Sequence, residues 1–137
     1  MNNFSRIIIS ADDYGQVGAG SVVDFTPRDK TWIVIDKSAQ FQNFITFTVS
    51  GDSLIERGIR NGDTLICKTR FELSQIKQNT VCVVMVHSTG ELMAKMIHCN
   101  ANGTVTAKSG NVRYAPRVFD ADDIEIKAIV TEFQRKL

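Results

Sequence analysis

No stretch of this sequence is apolar for long enough to span a bilayer, and the opening Met1-Asn2-Asn3-Phe4-Ser5-Arg6 lacks the apolar run of a secretory signal. A cytoplasmic setting without a membrane partner is the expectation. Charge of one sign is not in excess either. Sixteen Lys and Arg stand against 15 Asp and Glu, a formal net charge of +1, so the chain offers no electrostatic reason to grip nucleic acid. The amphipathic helix pair of a helix-turn-helix reader is also missing. Cysteine is limited to Cys67, Cys82 and Cys99, an odd and widely spaced set without a CxxC pair. With His87 and His98 not placed to complete a ligand pattern, this excludes a disulfide framework and predicts no metal site. The three thiols are expected to be buried or half-buried and reduced. A phosphate loop of the G-x-x-x-x-G-K type is absent, and no cofactor is expected. Only two prolines occur, with no repeat and no low-complexity tract, so one domain is predicted.

What is present suits a globular β domain. Hydrophobic residues make up 43% and charged residues 23%, enough for a core. Arg6–Ser10 reads as a short strand. Ala11 to Gly20 follows as a small-residue, loop-like stretch whose Gly15, Gly18 and Gly20 could let it enter a narrow cleft. Segments 32–35, 45–49, 64–67, 91–99, 104–108 and 124–130 carry β-branched and apolar residues between turn signals. Val81–Val86 is continuously apolar and is expected to be buried on both faces. Helical signal is confined to a turn after Ser53 and another near Ser38 to Asn43. Many short strands at this spacing predict a mostly-β fold with a curled, barrel-like sheet.

Two segments could do chemistry. In Val49-Ser50-Gly51-Asp52-Ser53-Leu54-Ile55-Glu56 a strand ends at a glycine and Ser53 opens a helical turn. Ser53 and Glu56 also spell an S-x-x-E capping box, the commoner role for such a serine. The start of a helical turn leaves backbone N–H groups unpaired as well, which can hold an oxyanion, and the Ser53 N–H is a candidate donor. In Glu91-Leu92-Met93-Ala94-Lys95-Met96-Ile97 strand alternation puts Met93, Lys95 and Ile97 on one face. Either the lysine stem lies over apolar surface with its ammonium in water, or burial lowers its pKa and makes it a base for a serine. The residues alone leave both open. His87, His98, the acidic pairs Asp12-Asp13 and Asp122-Asp123, and Asp63 in an Asn-Gly-Asp turn carry no comparable case.

Taken together, V-S-G-D-S-L, G-I-x-N-G-D-T-L-I and E-L-M-A-K-M-I resemble, in that order, the cleavable domains of the LexA, UmuD and phage-repressor family. The resemblance runs from about Tyr14 to the C-terminus. It implies a mixed sheet of the LexA-type C-terminal, signal-peptidase-like kind with few short helices. It also implies a serine endopeptidase with a Ser-Lys dyad, Ser53 as nucleophile and Lys95 as general base. The family cuts itself at an Ala-Gly or Cys-Gly bond ahead of the serine, which corresponds here to Ala19-Gly20. Residues 1–20 would then be an arm carrying the cleavage site, and 21–137 the peptidase and dimerisation domain. Implied partners are the chain itself as substrate, a second copy in a homodimer, and a RecA filament as trigger after DNA damage. DNA would be met only through a helix-turn-helix domain that this chain lacks. The expected housing is a LexA-like or phage-type repressor. A UmuD-like accessory to a translesion polymerase, or a dimerisation module that does not cleave, is the alternative. Leu54 where methionine is usual, Ala94 where valine is common, and Met96-Ile97 after the lysine depart from the family pattern without removing a reacting group.

Overall fold

The computed structural model describes residues 5–18, 25–40 and 42–136. Among these residues nine strands build one sheet: β1 (Arg6–Val17), β2 (Asp29–Asp36), β3 (Phe44–Val49), β4 (Thr64–Lys68), β5 (Val81–Val86), β6 (Leu92–Cys99), β7 (Thr104–Lys108), β8 (Arg117–Asp120) and β9 (Ile124–Gln134). Their order is β2-β1-β3-β4-β9-β5-β6-β7-β8. The β1–β3 pair is parallel and the other neighbouring pairs are antiparallel. The mostly-β, mixed sheet is thus as expected. It does not close into a barrel, because β2 and β8 end the order without meeting each other. Register shifts where β9 pairs with β4 and with β5 supply curvature instead.

The apolar pattern explains the layering. β5 is buried at five of its six positions, with β9 on one edge and β6 on the other. Alternation sends Val81 and Val83 into one cluster with Leu92, Ala94 and Met96, and Cys82, Val84 and Val86 into another with Met93 and Ile97. Phe47 is wholly buried in the first cluster, its ring 5.7 Å from that of Tyr14 and 6.1 Å from that of Phe25. Truncating it to alanine would cost about 3–5 kcal/mol. The closing strand β9 sits mid-sheet with both edges paired and Ile124, Ala128 and Ile129 buried.

Three local expectations are corrected. The stretch after Ser10 is not a loop up to Val17: β1 runs on through it, pairing with β2 as far as Asp13 and with β3 as far as Val17. Its polar residues are answered from the neighbouring strands. Lys30 pairs with Asp12 at 2.5 Å, and the Thr46 hydroxyl donates to Asp13 at 2.7 Å. A bulge between Asp13 and Gln16, with Gly15 at φ 86°, absorbs the irregularity. Cys99 is exposed rather than half-buried, because it is the last residue of β6, beside the Asn100–Gly103 turn. Cys67 and Cys82 are buried as expected, and desolvation pushes the Cys82 thiol up to about 12. Strand β8 was not anticipated, being short, largely exposed and, among the described residues, paired to β7 alone. Among the described residues no helix is long and apolar enough to cross a membrane.

Candidate active site

The serine turn is held from beneath by the Asn61-Gly62-Asp63 turn. Gly62 N–H donates to the Val49 carbonyl at 2.8 Å, Val49 N–H to the Asp63 carbonyl at 2.9 Å, and Gly51 N–H to the Asn61 side-chain oxygen at 2.9 Å. Asp63 is itself almost fully buried. It accepts from Arg60 N–H at 2.8 Å and from two guanidinium N–H groups of Arg135 at 2.7 and 2.6 Å. The Arg135 hydrogen bonds outweigh burial, which acts the other way, and keep its carboxyl below the ordinary aspartate value. Sequence reading had placed Asp63 in turn chemistry, which holds. The distant Arg135 that completes its pairing carried no local signal.

The expected Ser53–Glu56 capping box does not form. Leu54 takes the cap position of the short 3-10 turn Ile55–Arg57, without a side-chain cap. The Glu56 carboxylate instead accepts from Val112 N–H at 2.7 Å, and Glu56 N–H donates to the Gly110 carbonyl at 2.7 Å. Among the described residues neither the hydroxyl nor the N–H of half-buried Ser53 is engaged in a hydrogen bond. A reactive hydroxyl needs that freedom, and so does an oxyanion donor.

Lys95 lies half-buried on β6, on the face it shares with Met93 and Ile97. Its Nζ is 2.9 Å from the Ser109 hydroxyl and 5.9 Å from the centre of the Tyr114 ring. Desolvation lowers its pKa from the ordinary value, the Arg117 charge lowers it further, and Glu91 opposes both. Glu91 is in turn paired with Arg117 at 3.2 Å, which weakens its hold on the lysine.

Both residues line one cleft of about 430 Å³, together with Gly18, Met93, Ser109 and Tyr114. Gly18 is where β1 delivers the chain: Ser50 N–H donates to the Val17 carbonyl at 2.9 Å, just past the last β1–β3 pairing. Ala19 and Gly20 lie outside the described residues. A larger groove of about 800 Å³, lined by Arg6, Arg57 and Phe133 among others, contains none of these residues. His87 and His98 are exposed and line neither, His87 standing 3.5 Å from Glu125.

Ser109, Asn111 and Tyr114 were missed in the sequence. The β6–β7 hairpin register could have revealed the first: Ile97 faces Ala107 and Met96 faces Lys108, so one further step brings Ser109 opposite Lys95.

A peptidase family model matches most of the chain and gives the domain a fold of serine-peptidase type. The chain belongs to the Peptidase S24-like family, whose family model matches residues 13–131. It is 28% identical over 122 residues to the LexA repressor of Pelagibacter ubique, covering 88% of this chain and 52% of that protein. It is 27% identical over 124 residues to the LexA repressor of Acidiphilium cryptum, covering 89% and 52%. The LexA repressor of Gluconacetobacter diazotrophicus is 26% identical over 124 residues, covering 90% and 47%. The chain therefore spans about half the length of the curated relatives it matches.

Proposed function

We propose that this chain is the self-cleaving regulatory domain of a LexA-like repressor, cutting its own Ala19-Gly20 bond. The observation that carries the reading is the cleft that gathers Ser53, Lys95 and Gly18, the last one residue short of the bond. Neutral Lys95 takes the Ser53 proton as Oγ attacks the Ala19 carbonyl carbon. The Ser53 N–H supports the resulting oxyanion. The lysine ammonium then protonates the departing Gly20 amine, leaving Ala19 as an ester on Ser53. Water, deprotonated by the same lysine, hydrolyses the ester and frees the serine. Residues 1–20 act here as the substrate-bearing arm and 21–137 as the peptidase domain. The names of the relatives favour the repressor housing over a polymerase accessory. A homodimer, a RecA-type trigger and a cytoplasmic setting belong to the same reading.

Incubating the purified chain alone at alkaline pH and measuring intact mass tests it. Two fragments are expected, the larger beginning at Gly20-Ser21-Val22 by Edman sequencing. A chain that stays whole would identify a dimerisation module that does not cleave, and a different new N-terminus would move the substrate bond.

A further inference from the structure

We propose that Ser109 is the positioning residue for the Lys95 amine, carried on a segment, Ser109–Tyr114, that also fixes the Ser53 turn. The inference rests on the reading of Ser53 and Lys95 as the reacting pair. A neutral lysine amine has two N–H groups and one lone pair, and only the lone pair can take a proton from serine. Ser109 is buried, at 7% exposure, and its Oγ stands 2.9 Å from Nζ, so it can hold one N–H where water has little access to compete. That bond fixes a flexible four-carbon side chain and leaves the lone pair to face the cleft.

The same segment grips the serine turn on both sides of Ser53. Asn111 donates through Nδ2 to the Asp52 carbonyl at 3.0 Å, and the Tyr114 hydroxyl donates to the Asp52 carboxylate at 2.6 Å. Past Ser53, the Gly110 carbonyl takes Glu56 N–H, and Gly110 lies so close to Leu54 that an added Cβ would come within 3.3 Å of its Cα. Six consecutive residues therefore reach the base with one hand and the nucleophile with the other. The distance between the two is set by this connection as well as by the sheet.

The test compares self-cleavage of the full chain from neutral to alkaline pH for Ser109→Ala and Ser109→Thr, with Ser53→Ala and Lys95→Arg as controls. Ser109→Ala is expected to slow cleavage by about 10–100-fold at every pH, including the alkaline plateau, as misorientation of a reacting group does. Ser109→Thr, which restores a hydroxyl, is expected to regain most of the rate. A purely structural or charge-solvating serine predicts otherwise: an alanine defect that disappears once the lysine is neutral, or threonine as slow as alanine. Either of those, or an alanine variant at the parent rate, overturns the proposal. The Lys95 13Cε shift, titrated by NMR, supplies a readout that does not need cleavage. Its midpoint should move by at least about 0.5 pH unit in Ser109→Ala, since the hydroxyl contacts the titrating nitrogen, and an unmoved midpoint refutes the contact. A parent chain that never cleaves refutes the self-cleavage reading alone, and the titration then decides the role of Ser109.

Discussion

Replacing Gly18 with alanine adds one methyl group where the structure has no room for it. Gly18 sits at φ +100°, and a Cβ built there lies 2.5 Å from the Ser50 carbonyl oxygen. The obstacle is backbone, tied in place because the Ser50 N–H is hydrogen-bonded to Val17. Holding a non-glycine residue at such a φ costs about 1–3 kcal/mol before the collision is counted. The chain relieves this by leaving its path past Ser50, which moves Gly18 out of the cleft shared with Ser53 and Lys95. Each 1.4 kcal/mol is about a factor of ten in rate or population. Gly18→Ala should therefore slow self-cleavage by about 10–100-fold. Thermal unfolding should show at most a comparable loss, and the Lys95 titration should stay where it was, since Ser109 still holds the lysine nitrogen. A gel time course on the alkaline plateau reads the first effect and calorimetry the second. Parent-rate cleavage by the alanine variant, with or without lost stability, would refute the idea that the substrate reaches the serine along this path.

Ser53→Ala should abolish the fragment pair while shifting the melting point little, because the serine caps no helix; fragments from the alanine variant in an intact-mass measurement would exclude it as nucleophile. Lys95 has a pKa below the ordinary 10.5, so the cleavage rate should climb about tenfold per pH unit and level off before that value is reached. Lys95→Arg should be silent throughout in the same gel assay, guanidinium staying protonated, and a flat pH profile would remove the lysine as base. Asp63→Asn should lower stability by about 1–3 kcal/mol in denaturant titration at neutral pH. Because the Asp63 carboxyl titrates lower in the folded chain than its ordinary 3.8, its contribution is complete above that value and is lost as pH falls through the depressed one. The parent should therefore lose part of its advantage over the asparagine variant in acid, as pH-dependent melting curves would show.

Strands with a strong apolar pattern were legible from sequence because their burial is encoded residue by residue; Val81–Val86 is the plainest case. The second half of β1 was not, since Asp12 and Asp13 stay in the strand with Lys30 and Thr46 meeting them from strands far along the chain, and Gly15 is taken up in a bulge. The two candidate reacting residues could be picked out from motif order. Their surroundings could not: Ser109 is an ordinary serine until the hairpin register sets it against Lys95, and Glu56 leaves Ser53 because Val112 offers it a better-placed N–H. Local signatures such as S-x-x-E describe what a side chain can bond, while long-range packing decides which bond it makes.

β1 lies between β2 and β3, and among the described residues β2 has no other neighbour in the sheet. Eight residues of β1, Arg6 through Asp13, are matched to β2 across the hairpin, and Asp12, Asp13, Gln16 and Val17 are matched to β3 on the other edge. Breaking the backbone beyond Val17 cuts the hairpin's covalent link and none of these rungs. Scission and separation are then two events with separate clocks: one set by bond chemistry in the cleft, the other by how often an inner strand peels from its neighbours and strands an edge. A nicked domain would keep the size of the intact one on a sizing column while running as two bands in denaturant, a latch unlocked but still shut.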